Sequence, residues 1–394
     1  MLKSWKKWEK KGDPHLINRA QWDEAELKAI EEVFDNDWFG YGKINQEFEK
    51  KLAEFTKIPY FNLTNSGSTA IWTAIKCLFH DKKLKRGDLV IHPITTFPTS
   101  ISSAIEFGLI PVFIETKPNT YVVDEAEVER AIEKYPQIKG MIMPYLLGNI
   151  PNMERIKKAL GDRFLIEDCC DTLGGTFDGI HVGAFGDFSA FSFYGSHHIT
   201  AGGVGGALAT NDEKLSRTAK SLIFWGHDYD VDQTFLNRYE GATVGSDYQM
   251  SAIQAAFALA QIKKLPGFVE ARAKQFAEMM TLFKGYDFFH LPESDSRARP
   301  SWFCFPLRVK ENAPFNRETF VEYLKSNNVE IRPIMNANIL KQKPFQHIER
   351  ITMHEEYPIA EDLLKNGLFL PCWGMPEEQK QDYYDIIKKF LDSY

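Results

Sequence analysis

Three stretches of this 394-residue chain carry residue types and spacings that could do chemistry. Asn65-Ser66-Gly67-Ser68-Thr69 sits between an apolar run, IPYFNLT, and a helical one, TAIWTAIKCLF. A turn of small residues there presents free backbone N–H groups and hydroxyls, which is how a chain holds an anion; a plain helix cap is the alternative. Asp168 ends the apolar run RFLIED. Parallel sheets bind ligands at the carboxyl ends of their strands, so a carboxylate there is placed to meet one, although it could equally cap the next segment. The third stretch is Ser192-Phe193-Tyr194-Gly195-Ser196-His197-His198. Imidazole titrates near neutrality and can take a proton at pH 7, and two in a row among hydroxyls and glycines point to acid–base work or to a polar structural turn.

These stretches need a frame, and the pattern around them supplies one. QWDEAELKAIEEVF (21–34), NQEFEKKLAEFTK (45–57) and DEAEVERAIEKY repeat apolar residues at helical spacing. DLVIHPI, IPVFIET, GMIMPYL and RFLIEDCC are short apolar runs between helical ones. That alternation predicts βαβ units and a mostly parallel sheet covered on both faces, an α/β fold. The Gly- and aromatic-rich stretch 178–212 reads as hairpin-like, and 248–283 as a long helix kinked at Pro266. At about 150 residues per domain the length predicts two or three domains. We expect an N-terminal extension over 1–20, a large domain over 21–285 and a smaller α/β domain over 286–394.

Composition excludes several classes. Hydrophobic residues at 44% and charged residues at 26% are those of a folded globular chain. With 47 basic against 54 acidic side chains, the net charge of −7 leaves no surplus to neutralise a nucleic acid backbone. No apolar stretch approaches the roughly 18 residues of a membrane span. The leading MLKSWKKWEKKGDPH has no apolar signal core, so a cytoplasmic protein is expected. Five cysteines without CxxC or Cys/His spacing give no metal site.

Taken in order, SGSTA, HPITTFPTS, IEDCCDTLGG, FSF, LLGN, YQMSAIQAA and LPCWGMPEEQ resemble the DegT/DnrJ/EryC1/StrS family of fold type I pyridoxal-phosphate enzymes from about residue 17 onward. The resemblance implies an aspartate-aminotransferase-like large domain with a seven-stranded type of sheet. It also implies that Gly67, Ser68 and Ser192 hold the cofactor phosphate, that Phe97 stacks on the pyridine, that Asp168 pairs with the ring nitrogen and that Asp171 lies near the ring hydroxyl. Arg332 and Asn338 would face the sugar or nucleotide.

One departure decides the expected activity. The family pattern is FSF, three residues, then a lysine that forms an imine with pyridoxal; here that place holds His197, or His198 if the spacing is counted back from the later glycines. No lysine occurs between Lys158 and Lys214. An imidazole can only move protons, so pyridoxal or pyridoxamine phosphate would be bound noncovalently. Within the family a histidine here resembles the 3-dehydratases of nucleotide-linked 4-keto-6-deoxy sugars. Of their two branches, one uses an iron–sulfur cluster on four cysteines, which this chain cannot supply, and the other uses glutamate to restore the amine form of the cofactor. The second is expected, acting as a homodimer with shared active sites, in which Trp38-Phe39-Gly40-Tyr41 could line the interface. Two further departures are Asp247, where the family commonly has an asparagine that reaches the neighbouring subunit's phosphate, and Trp225, where the cluster-free branch has a second histidine; His227 lies close by.

Overall fold

A computed structural model describes residues 14–232 and 234–394; most of the expected N-terminal extension, residues 1–13, lies outside the described residues. The strands in chain order are β1 (Tyr60–Thr64), β2 (Leu89–Pro93), β3 (Ile110–Ile114), β4 (Gly140–Pro144), β5 (Phe164–Asp168), β6 (Thr176–Phe177), β7 (Ile180–His181), β8 (Phe188–Ser192), β9 (Gly206–Thr210), β10 (Phe289–His290), β11 (Ala298–Arg299), β12 (Phe305–Val309), β13 (Ile351–Thr352) and β14 (Gly367–Leu370). Eight of them form one sheet in the order β1-β9-β8-β5-β4-β2-β3-β13. Every neighbouring pair is parallel except the two that involve β9, so β9 alone runs against the rest. The fold is mixed, mostly parallel α/β. Compared with the seven strands expected, the extra one is the two-residue β13, contributed to the edge at β3 by a segment far along the chain.

β2, β4 and β5 are buried along their whole length because helices cover both faces, which is why their sequences read as continuous apolar runs. Helices begin where the sequence supplies a cap: Asp23, Ser66, Asp124, Asn152, Asp212 and Ser251 each accept a hydrogen bond from the first turn. The expected kink at Pro266 is a complete break. One helix, Ala252–Ile262, stops and a second, Leu265–Lys284, starts with the proline in its first turn, where its missing N–H costs nothing.

A second, three-stranded sheet, β10-β12-β14, carries its own apolar cluster, which includes Phe289, Phe305, Phe320, Leu370 and Phe390. Met279 and Phe283, at the end of the helix Leu265–Lys284, join that cluster and tie the two sheets together. The first described residues are held firmly. His15 pairs with Val329 and exchanges backbone hydrogen bonds with Asn328 and Glu330, and Ile17 is fully buried. No helix among the described residues is long and apolar enough to cross a membrane.

Candidate active site

The turn after β1 is the first wall of the site. Ser66 caps the helix Gly67–His80, its Oγ accepting from the Thr69 N–H at 3.2 Å, and Ser68 donates from Oγ to Thr99 Oγ1 at 2.9 Å. Gly67 is required by space: a Cβ there would meet Cys170 Sγ at 2.5 Å and Ser192 Cβ at 3.0 Å. Gly206, at the start of β9, is required in the same way, because a Cβ would run into the Ser66 backbone at 2.2 Å. The two glycines let the turn lie directly on β8 and β9, which brings Ser192 beside it.

Asp168 closes the floor at the end of β5. Its Oδ2 accepts from the buried Ser100 hydroxyl at 2.5 Å and its Oδ1 from the Cys170 N–H at 3.2 Å. Asp171, one turn on, accepts from the Leu147 N–H at 3.2 Å. Burial, and then the neighbouring Asp168 charge, push its carboxyl up to about 7.

His197 sits opposite. Its Nδ1 faces the Ser192 carbonyl at 3.4 Å and its Nε2 lies 3.8 Å from Asp171 Oδ1. A carbonyl oxygen only accepts, so the ring carries its proton on Nδ1 and turns the Nε2 lone pair toward the carboxylates. Burial first, and the nearby Arg272 cation after it, hold the imidazole down to about 4, so it is a free base at neutral pH.

These groups line one cavity of about 430 Å³, together with Phe97, Tyr194, Phe303 and Arg332. Of the residues singled out in the sequence, the structure therefore gathers Gly67, Ser68, Phe97, Asp168, Asp171, Ser192, His197 and Arg332. His198 turns the other way. It is buried, its Nε2 meets the Ser301 carbonyl at 3.0 Å, and it is not part of the cavity lining. Asn338 also lies away from the cavity: buried, it donates to Glu361 Oε1 at 2.6 Å and accepts from the Leu340 N–H, capping a short 3-10 turn. Trp225 and His227 lie in a separate region, their ring centroids 4.9 Å apart and tilted by 56°, and Asp247 is exposed, paired by its backbone with Phe224.

The sequence reading missed Ser100, Phe303 and Arg272. Ser100 had a signal, since Pro98 opens a helix and turns its third residue back toward the sheet. Arg272 had one too: it interrupts the apolar stripe Phe268, Phe276, Met279, Phe283 at helical spacing, where a cation must find buried partners.

A mostly parallel sheet with a single reversed strand, a phosphate-type turn opening the helix after β1 and a carboxylate at a strand end define the fold type I class of pyridoxal-phosphate enzymes. The chain belongs to the DegT/DnrJ/EryC1/StrS aminotransferase family, whose model matches residues 20–390. It is 33% identical over 351 residues to the lipopolysaccharide biosynthesis protein RfbH of Salmonella typhimurium, covering 82% of this chain and 79% of that one. It is 30% identical over 387 residues to GDP-4-keto-6-deoxy-D-mannose 3-dehydratase of Escherichia coli O55:H7, covering 94% and 98%. A solved structure of the E. coli GDP-4-keto-6-deoxy-D-mannose-3-dehydratase with bound hydrated PLP superposes with a TM-score of 0.89 at 28% identity, over 94% of this chain and 98% of the other.

Proposed function

We propose that this chain is a pyridoxamine-phosphate-dependent 3-dehydratase of a nucleotide-linked 4-keto-6-deoxy sugar, with glutamate restoring the cofactor's amine. The observation that carries the reading is the replacement of a primary amine by an imidazole: no lysine is among the cavity-lining residues, and His197, anchored through Nδ1 near the Ser192 carbonyl, turns Nε2 toward Asp171. The residues present fit the cofactor. The cradle at Gly67, which a Cβ would fill, with the hydroxyls of Ser68 and Ser192 around it and a helix N-terminus behind, suits a phosphate. Asp168, held by Ser100 and a backbone N–H, would pair with a protonated ring nitrogen, Asp171 would meet the ring hydroxyl, and Phe97, half-exposed, would stack on the ring.

When bound, the cofactor supplies a primary amine for the sugar's C4 ketone and a conjugated ring that takes up an electron pair. The protein's part is to hold, orient and move a proton. His197 accepts it at Nε2, its Nδ1–H anchored on the Ser192 carbonyl, and returns it from the same atom. The sugar's C3 hydroxyl departs as water, glutamate's two electrons end at C3, and its nitrogen leaves as ammonia. Arg332, which lines the cavity, would bind the nucleotide diphosphate. We further infer a cytoplasmic homodimer with shared sites, which the exposed apolar side chains Trp38, Phe235, Leu236 and Tyr239 support.

The rival reading is transfer of nitrogen to the sugar, and the aminotransferase description of the matched family favours it. One experiment separates the two. Purified protein is given pyridoxal phosphate, glutamate and GDP-4-keto-6-deoxymannose, and 2-oxoglutarate and ammonia are measured together. Sustained, equal release of both is the expected result. Release of 2-oxoglutarate with nitrogen retained on the sugar would establish the aminotransferase instead.

A further inference from the structure

Behind His197, on the side away from the cavity, lies a buried cation with no carboxylate within ion-pair distance among the described residues. Arg272, 3% exposed, projects from the helix Leu265–Lys284. Its Nη1 donates to the carbonyls of Phe303 at 3.0 Å and Cys372 at 3.1 Å, while its Nε has no hydrogen-bond partner among the described residues. Arg272, His197 and His198 border the same small void. The Phe303 ring, whose own carbonyl is one of the two anchors, meets the His197 imidazole edge to face at 5.5 Å. A guanidinium taken out of water and given only carbonyl acceptors is an expensive device for holding a loop, since neutral donors satisfy carbonyls at lower cost.

We propose that Arg272 is a positioning residue for His197: anchored on the Phe303 and Cys372 carbonyls, it fixes the aromatic wall against the imidazole and places a positive charge behind the ring. The inference rests on His197 being the proton carrier of the proposed reaction. Other charged groups also surround the ring. Asp171, 3.8 Å away, favours the charged ring only when ionised, and burial keeps it largely protonated below about pH 7. Asp168 lies beyond Asp171 and is engaged by Ser100 and the Cys170 N–H. His198 and Tyr194 flank the ring from its own segment, His198 held neutral by burial. Arg19 borders the same void and Arg332 the cavity, and both add to the positive side. A base that stays unprotonated well into the acidic range is always ready to accept the proton.

The test is a titration of His197 by NMR in the full chain carrying ¹³C-labelled histidine, with and without pyridoxal phosphate, and with His197→Asn used to assign the signal. In the wild type the ring is expected to titrate below pH 5.5. Arg272→Gln should raise that midpoint by about half a pH unit and move the acid limb of kcat/KM upward with it, and Arg272→Lys should restore both. A wild-type midpoint at or above 6.5, or a midpoint unchanged in a folded Arg272→Gln protein, would overturn the proposal. Should Arg272→Gln not fold, Arg272→Met, apolar and similar in length, carries the same comparison. Because the titration needs no turnover, its result stands apart from the ammonia assay: a dehydratase reading that fails there leaves the charge relation between Arg272 and His197 measured all the same.

Discussion

The floor and the mouth of the cavity are built on different physical terms. On the floor, Asp168, Ser100 and Gly67 are buried, and Asp168 has partners on both carboxylate oxygens within 3.2 Å. At the mouth, Phe97 is 49% exposed, Tyr194 54%, and Arg332 forms an ion pair with Glu330, itself partly in solvent. A buried polar group without a partner costs about 1–3 kcal/mol, so the floor admits few arrangements; the mouth pays no such penalty and is free to vary with the substrate. Chemistry shared by a family therefore belongs on the floor, and the choice of sugar and nucleotide at the mouth.

The sharpest way to break this division is to change the two adjacent histidines. His197→Asn keeps a polar group in the cavity and removes the base, so turnover should fall about 10²–10⁴-fold with folding intact. His198→Asn should leave catalysis nearly unchanged and lower stability by about 1 kcal/mol, through the lost contact to the Ser301 carbonyl. Steady-state rates with denaturant melts of both variants decide it. A catalytic loss confined to His198→Asn would place the base on the far side of the segment and undo the geometry argued here.

That pair also marks how far the sequence could be read. Gly67, Asp168 and His197 were legible because backbone demands fix them: a turn with no room for a Cβ, a strand end, a set distance from Ser192. Asn338 and Arg332 were proposed together from one motif, IRPIMNANILKQ, yet only Arg332 reaches the cavity. The segment forms a short 3-10 turn without a regular period, and its side-chain directions follow from what it packs against. The edge strand β13 was invisible for a related reason: two residues carry no alternation, and only the open edge at β3 makes them a strand. Arg272 went unread because a lone arginine on a helix is usually solvated, and only the stripe around it says otherwise.

A second test sharpens the electrostatics of the floor through pH. Asp171 is held up to about 7 against an ordinary 3.8, so the folded state keeps a proton that the unfolded state gives up; its contribution to stability is full below about pH 4 and is lost as pH rises through 7. His197 is held down to about 4 against 6.5, so its contribution is full above about pH 6.5 and is lost as pH falls through 4. Between these limits the two slopes oppose each other. In denaturation of the cofactor-free chain from pH 4.5 to 8, Asp171→Asn should therefore gain on the wild type as pH rises, and His197→Asn should gain as pH falls. Curves parallel to the wild type in both variants would mean that neither group is perturbed, and the floor would then be electrostatically no different from the mouth.

The smallest effects are expected at the mouth, where they carry the most information about the substrate. Arg332 is about half exposed and its ion pair with Glu330 lies in solvent, so Arg332→Ala should change stability by no more than about 0.5–1 kcal/mol. If its guanidinium binds the diphosphate, the same change should raise KM for the nucleotide sugar several-fold and leave kcat close to its starting value, since a contact made equally in ground and transition states affects binding alone. Asn338→Ala supplies the contrast from the same motif. It removes a buried cap and the hydrogen bond to Glu361, so it should cost about 1–2 kcal/mol of stability with KM untouched. Equal KM for Arg332→Ala and wild type would move the nucleotide off this rim, to the side of the cavity bounded by Phe97 and Tyr194, where exposed rings rather than a cation would have to hold it.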